Sequence, residues 1–422
     1  VHPVKNMSAV EWKAYSELGK ASLFTAIEEH PGWTACSQIV ADRRKWSIGL
    51  GCAEAQLLEE IARRIKQPIP STRVEAHEAP VKELRLREGT ADLRDLPAAK
   101  VSEKDAGRFI ASGIAFVKDP ETGIRNMSLH RQQIMGPDRT GFVMLPRHAR
   151  RIYDKYSERG EPTPVAIVIG VHPAIWFAAG FTTAFGRDEL ELAGALLGES
   201  IRTVRCETVD LDVPAEAEIV LEGELLPGNH LAPEGPFGEV NGVYPEASEA
   251  HVFKLKAITR RKDAIYYALH CGFPPTDTQA TTGLGIEIAT IEHMRNVDGG
   301  LDLLDVRLLT VSGLMNNLRR AEETSRGGVN DQPPLARQRE RHFAAVTSPS
   351  KHRTTAGMFP RSHWRPQSLT SSDSLRQTLI GHCIGTRRST AVIRDRAGRR
   401  SVMRSLPQNR ICLSTLIAKS GV

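Results

Sequence analysis

His251-Val252-Phe253-Lys254-Leu255-Lys256-Ala257-Ile258-Thr259, then Arg260-Arg261-Lys262-Asp263, then Ala264-Ile265-Tyr266-Tyr267-Ala268-Leu269-His270 is the stretch on which the fold class turns. Two runs suited to a pleated surface flank a charged break, which predicts antiparallel strands joined by a turn at Arg260–Asp263. Upstream, residues 216–226 predict a further strand. Val165 to Val171 is a continuous apolar run, the mark of a strand buried on both faces. Residues 110–118 predict another strand, closed by the turn Asp119-Pro120-Glu121-Thr122-Gly123. Helices are expected over residues 147–157, with Pro146 at the start and Gly160 beyond the end, and from about Glu189 to Leu197, capped by Asp188. Ala53 to Lys66 places Leu57, Leu58, Ile61 and Ile65 on one helical face, with Glu59 and Glu60 set before Arg63 and Arg64. Gly49-Leu50-Gly51 and Gly283-Leu284-Gly285 lack the third glycine and the preceding strand of a dinucleotide loop, and the first reads as a turn. Helices lead and hairpins dominate the middle, so an α/β lobe followed by a β-rich domain is the expected class.

The 422 residues are 40% hydrophobic and 25% charged, which excludes disorder throughout and a collagen-like repeat. No run of 18 uncharged apolar residues is present, so no membrane-spanning helix is expected. Val1-His2-Pro3-Val4-Lys5 shows no signal-peptide pattern. The six scattered cysteines form no C-x-x-C pair, which argues against a zinc cluster or a disulfide framework and for a cytoplasmic protein. The net charge of +6 is unevenly divided: residues 319–422 carry +14, with 18 Arg and 2 Lys, and residues 1–318 carry −8. Such a tail can bind nucleic acid, fold poorly, or be translated out of frame. Its arginines come without a nucleic-acid motif or interleaved aromatics, so no specific nucleic-acid partner is expected and the out-of-frame reading is preferred.

The densest chemical signal is Pro233-Glu234-Gly235-Pro236-Phe237-Gly238-Glu239. Its prolines and glycines forbid a helix and shape a loop that holds two carboxylates five residues apart. A solvated acidic turn is the plainer alternative. Arg125-Asn126-Met127-Ser128-Leu129-His130-Arg131-Gln132-Gln133 alternates like a strand with one wet face, putting Asn126, Ser128 and His130 on one side and Met127, Leu129 and Arg131 on the other. Glu189-Leu190-Glu191-Leu192-Ala193-Gly194 opens a helix, where acidic residues answer the helix dipole without further function. His148 stands near the start of another helix, where an ordinary surface histidine is the competing reading.

Taken in order, Asn126 with Arg131, Pro146-x-His148, Glu191-Leu192-Ala193-Gly194 and Glu234-Gly235-Pro236-Phe237-Gly238-Glu239 resemble the motif series of the UbiD-like decarboxylases, which use prenylated FMN. The resemblance runs from about Gly19 to about Ser312. It implies an N-terminal α/β lobe over residues 1–108, a β-rich split-barrel flavin-binding domain over 109–314, and an aberrant, irregular Arg-rich segment over 315–422. It implies Asn126, His148 and Glu191 as ligands of Mn2+ on the flavin phosphate, with K+ as an optional companion. Mixed oxygen and imidazole donors suit that ion. It further implies that Leu129, His130 and Arg131, with Val143, Met144, Leu145, His148 and Ala149, line the cofactor. Arg131, Glu234 and Glu239 take the places of a Glu-Arg-Glu network, with Glu239 as proton donor. One acid can stay ionised on the arginine while the other carries the proton.

The implied activity is non-oxidative, reversible decarboxylation of a small aromatic or α,β-unsaturated acid. A flavin prenyltransferase would supply the cofactor, and a homo-oligomer is expected. Phe237, Met144 and Trp176 are candidates for the substrate pocket, with a plain core role equally open. A non-catalytic remnant of such an enzyme is the alternative.

Overall fold

The computed structural model describes residues 20–293, apart from 229, 241–242 and 272–275. Beyond them it describes the end of a helix and four strands. The first compact unit, Val1–Gly285, contains among its described residues β1 (Ser22–Phe24), β2 (Thr34–Ser37), α1 (Arg43–Gly49), α2 (Leu57–Arg64), β3 (Thr72–Arg73), β4 (Leu84–Arg87), β5 (Phe109–Ile110), β6 (Ile114–Lys118), β7 (Arg125–Leu129), β8 (Gln132–Ile134), β9 (Arg139–Phe142), α3 (His148–Glu158), β10 (Thr163–Ile169), α4 (Pro173–Gly180), α5 (Glu189–Leu197), β11 (Arg202–Arg205), β12 (Asp212–Pro214), β13 (Ile219–Leu225), β14 (Leu231–Glu234), β15 (Ser248–Arg260), β16 (Ile265–Tyr267) and the start of α6 (Asp277–Arg295). The second unit, Ile286–Val422, holds two antiparallel pairs, Asp302–Val311 with Leu314–Glu322 and Thr390–Arg394 with Arg400–Arg404. The Arg-rich segment otherwise lies outside the described residues.

The apolar run at Val165–Ile169 becomes the C-terminal part of β10, with every one of its residues fully buried. It pairs antiparallel with β13 on one edge and β6 on the other. The large sheet follows the order β5-β8-β9-β15-β13-β10-β6-β7, with β14 and β4 also on β15. Its two ends are joined by the chain itself, since β5 bends into β6 and β7 bends into β8 through His130 and Arg131. His130 N donates to Gly113 O across this corner at 3.1 Å. The sheet therefore curls into a barrel split at the corner that carries Arg131. Asp188 caps α5 by accepting from Leu190 N at 3.0 Å, and α2 buries Leu57, Leu58, Ile61 and Ala62.

The expected hairpin between 251–259 and 264–270 does not form. Both edges of β15 at Ala257–Arg260 are already occupied, by β13 and by β4. β16 instead runs parallel to β2 in a separate three-stranded sheet. Two ladders, β4 to β15 and β2 to β16, cross the boundary expected at residue 108. Trp176 is core, 3% exposed, with its indole N–H donated to Thr281 Oγ1 at 3.1 Å.

Asp277, at the start of α6, ties the N-terminal segment to the barrel. Ile39 N and Val40 N donate to its two oxygens at 3.2 and 2.9 Å, and the Tyr267 hydroxyl donates at 2.7 Å. Burial pushes its pKa from 3.8 up to about 6, against the pull of those bonds. Between those values the folded chain holds a proton that the unfolded chain has lost, so stability falls as pH rises through this window, by about 3 kcal/mol. Thermal unfolding should therefore show Asp277→Asn gaining on the wild type from pH 4 to 6, with no further change from pH 7 to 8. A pH-independent difference would refute the assignment.

Candidate active site

The proline-and-glycine loop turns the chain sharply after β14, with Gly235 at φ +87°. Glu234, the last residue of β14, is fully buried. Arg131 reaches it from the barrel corner as a fork, Nε to Oε1 at 2.9 Å and Nη2 to Oε2 at 2.7 Å. The third arm, Nη1, donates to Glu239 Oε1. The Glu239 side chain remains 35% exposed, against none of Glu234, so one acid anchors the arginine and the other faces outward. The guanidinium lies 5.1 Å from the centroid of Phe237. Phe237 is 2% exposed and packs on Phe109 at 4.5 Å, which makes it a platform for the arginine. Gly141 leaves room for this arrangement. A Cβ there would sit 2.8 Å from Met135 Cε and 2.9 Å from Glu234 Cγ.

A second cluster forms where β7 meets the start of α5. Glu189, 3% exposed, accepts from Asn126 Nδ2 at 2.9 Å, Met127 N at 3.0 Å and Thr183 Oγ1 at 2.9 Å. His148 Nδ1 stands 4.0 Å from Glu189 Oε1. Burial raises the Glu189 pKa, with the hydrogen bonds from Met127, Thr183 and Asn126 opposing it. Burial, and then the Arg151 and Arg147 charges, hold His148 toward its neutral form. Asn126 Oδ1 is buried without a hydrogen-bond partner. A divalent cation fits this set on three counts. It would satisfy the orphaned oxygen, offset the buried carboxylate and accept the neutral imidazole. Among the described residues no group of three His, Cys, Asp or Glu is placed to hold a metal ion, and this set reaches three donors only with the Asn126 oxygen.

Glu191, expected as a metal ligand, is not brought to this cluster; Glu189 stands there instead, beside Asn126 and His148. Two residues along an α-helix is a rotation of about 200°. Glu191 therefore turns away, into a cleft of about 620 Å³ that Arg125, Arg187 and Asp188 also line. The sequence signal was present, since Glu189 is the first residue after the Asp188 cap. Which of the two acids meets Asn126 depends on the packing of α5 against β7.

The remaining expected residues stand at the end of β7, just after β9 and in α3. The His130 ring stacks on Phe142 at 4.5 Å. Its Nδ1–H donates to Val143 O at 2.9 Å, so Nε2 accepts from the Ser128 hydroxyl at 2.9 Å. Burial lowers its pKa, against the bond to Val143. It is a neutral strut with both nitrogens engaged, not an acid. Leu129, Val143 and Met144 are half-buried, and Ala149 is buried in α3. Leu145 is 60% exposed, an apolar side chain available to a ligand.

Residues 72–274 match the model of the UbiD family, described as the 3-octaprenyl-4-hydroxybenzoate carboxy-lyase Rift-related domain. The chain is 35% identical over 266 residues to the anhydromevalonate phosphate decarboxylase of Methanothermobacter thermautotrophicus, covering 61% of each protein. It is 33% identical over 242 residues to the phenolic acid decarboxylase of Bacillus subtilis, covering 56% of this chain and 50% of that one. In structure it is similar to an evolved dimeric form of the UbiD-class enzyme HmfF from Pelotomaculum thermopropionicum, solved in complex with prFMN. There the TM-score is 0.68 at 35% identity, over 74% of this chain and 71% of the other. The chain thus spans between half and about six tenths of the length of these two curated relatives. Among the described residues no helix is long and apolar enough to cross a membrane.

Proposed function

The chain belongs to the UbiD family, and from that premise we propose that it catalyses the reversible, non-oxidative decarboxylation of a small aromatic or α,β-unsaturated acid with prenylated FMN and a divalent metal ion. The observation that carries this reading is the Glu234–Arg131–Glu239 bridge at the barrel corner. Loss of CO2 from an sp2 carbon leaves an electron pair that side chains hold poorly, and prenylated FMN, when bound, supplies the sink for it. Asn126 through its orphaned Oδ1, His148 and Glu189 would hold Mn2+, whose charge would offset that of the flavin phosphate. Leu129, His130, Val143, Met144, Leu145 and Ala149 would flank the flavin.

The other steps belong to the side chains. Glu234 fixes the arginine from below by its two-point bond. Arg131 in turn orients Glu239. Glu239 carries the proton and delivers it to the carbon that CO2 leaves, and in the reverse direction takes it back. The two named relatives are decarboxylases of different acids, which supports the reaction class and leaves the acid to the pocket. A flavin prenyltransferase would load the protein, and a homo-oligomer is its working form.

The test is direct. Protein co-expressed with a flavin prenyltransferase and supplied with Mn2+ should show flavin absorbance and release CO2 from at least one member of a panel of phenolic, cinnamate-like and heteroaromatic acids. Full flavin loading with no CO2 from any of them would overturn the reading. It would favour the alternative, a non-catalytic remnant.

A further inference from the structure

We infer that Asp105, in the N-terminal part of the chain, is a positioning residue for Glu239, a role that rests on the decarboxylase reading above. The loop between the two site acids is pinned at both ends. Near Glu234, Gly235 N donates to Gln133 Oε1 at 2.8 Å. Near Glu239 the corresponding anchor is Asp105, which is 3% exposed. Its Oδ1 accepts from Gly238 N at 2.8 Å and its Oδ2 from Ser102 N at 2.8 Å. Beside it, Ala106 N donates to Pro236 O at 2.8 Å. The turn at residues 102–106 and the site loop thus clasp each other, and the carboxylate closes the clasp. The approach is close: a Cβ on Gly238 would come within 3.3 Å of Ser102 Oγ.

The consequence follows from chain freedom. Gly238 has the widest backbone range of any residue type and directly precedes Glu239. Its N–H bond to a buried carboxylate removes that freedom. Glu239 holds Arg131 by a single arm and is 35% exposed, so its aim depends on the backbone beneath it. Glu234, fully buried and doubly bonded, does not need the clasp. A proton donor misplaced by about 1 Å loses about 100-fold in rate.

The experiment compares full-length wild type and Asp105→Asn, which keeps the shape but has only one oxygen for two N–H donors. Asp105→Ser takes its place if that variant does not fold. Hydrogen exchange of the peptide spanning Gly238 and Glu239 is read first, since it needs no turnover. It should quicken about 10–100-fold in the variant. In flavin-loaded protein kcat should fall about 100-fold with KM and flavin content unchanged. Unchanged exchange, or quickened exchange with unchanged kcat, overturns the proposal. A loaded wild type without turnover overturns the decarboxylase reading instead, and the exchange result alone then decides whether the clasp exists.

Discussion

Glu239→Gln is expected to lower kcat by about 10²–10⁴-fold, the usual worth of a positioned proton donor, with bound flavin unchanged. The substitution preserves shape, and the amide oxygen can still accept from Arg131 Nη1. Only the transferable proton is lost. KM should hardly move, because the change acts in the transition state rather than in binding. Single-turnover CO2 release from protein of matched flavin absorbance measures the effect. Full activity in this variant would remove Glu239 as donor. Glu234→Gln is a less clean probe. It takes the charge from the buried half of the bridge and leaves Arg131 with one exposed partner.

Glu189→Gln should weaken Mn2+ binding by about 100-fold or more, beyond the 10–100-fold typical of losing an outer partner of a ligand. Glu191→Gln should leave binding unchanged. The pair is decisive because the acids are two residues apart and of identical chemistry. Only Glu189 touches Asn126 and stands within 4.0 Å of His148. Titration of the flavin-free protein with Mn2+, followed by its paramagnetic signal, reads affinity without any catalytic step. Equal loss in both variants, or loss in Glu191→Gln alone, would return the ligand to Glu191. Flavin content after co-expression should track the same order, as expected if the proposed metal holds the flavin phosphate.

Much of the site was legible because its chemistry is written locally. Two prolines and two glycines around Phe237 can only make a shaped loop, and the acids at its ends are the residues that meet Arg131. Asp188 announces the start of α5, and the apolar run at Val165–Ile169 announces a buried strand. Where the reading failed, the missing information was not local. Whether β16 pairs with β15 depended on β4, about 170 residues earlier in the chain, reaching that edge first. Asp105 drew no notice because nothing near it in sequence is chemical. Its partner, Gly238, is 133 residues away.

Residue types and their spacing alone pointed to an α/β lobe followed by a β-rich domain, and to a moulded turn that carries two acids; the arginine between those acids was implied by the resemblance of the motif series. Hydrophobic period, turn chemistry and helix caps act over a few residues, so they can be read in one dimension. Tertiary structure alone decided which acid of the Glu189–Glu191 pair serves Asn126, which strand takes the edge of β15, and what steadies Gly238. Each is a choice between near-equal local options. It is made by whichever side chain or strand packing brings within bonding distance.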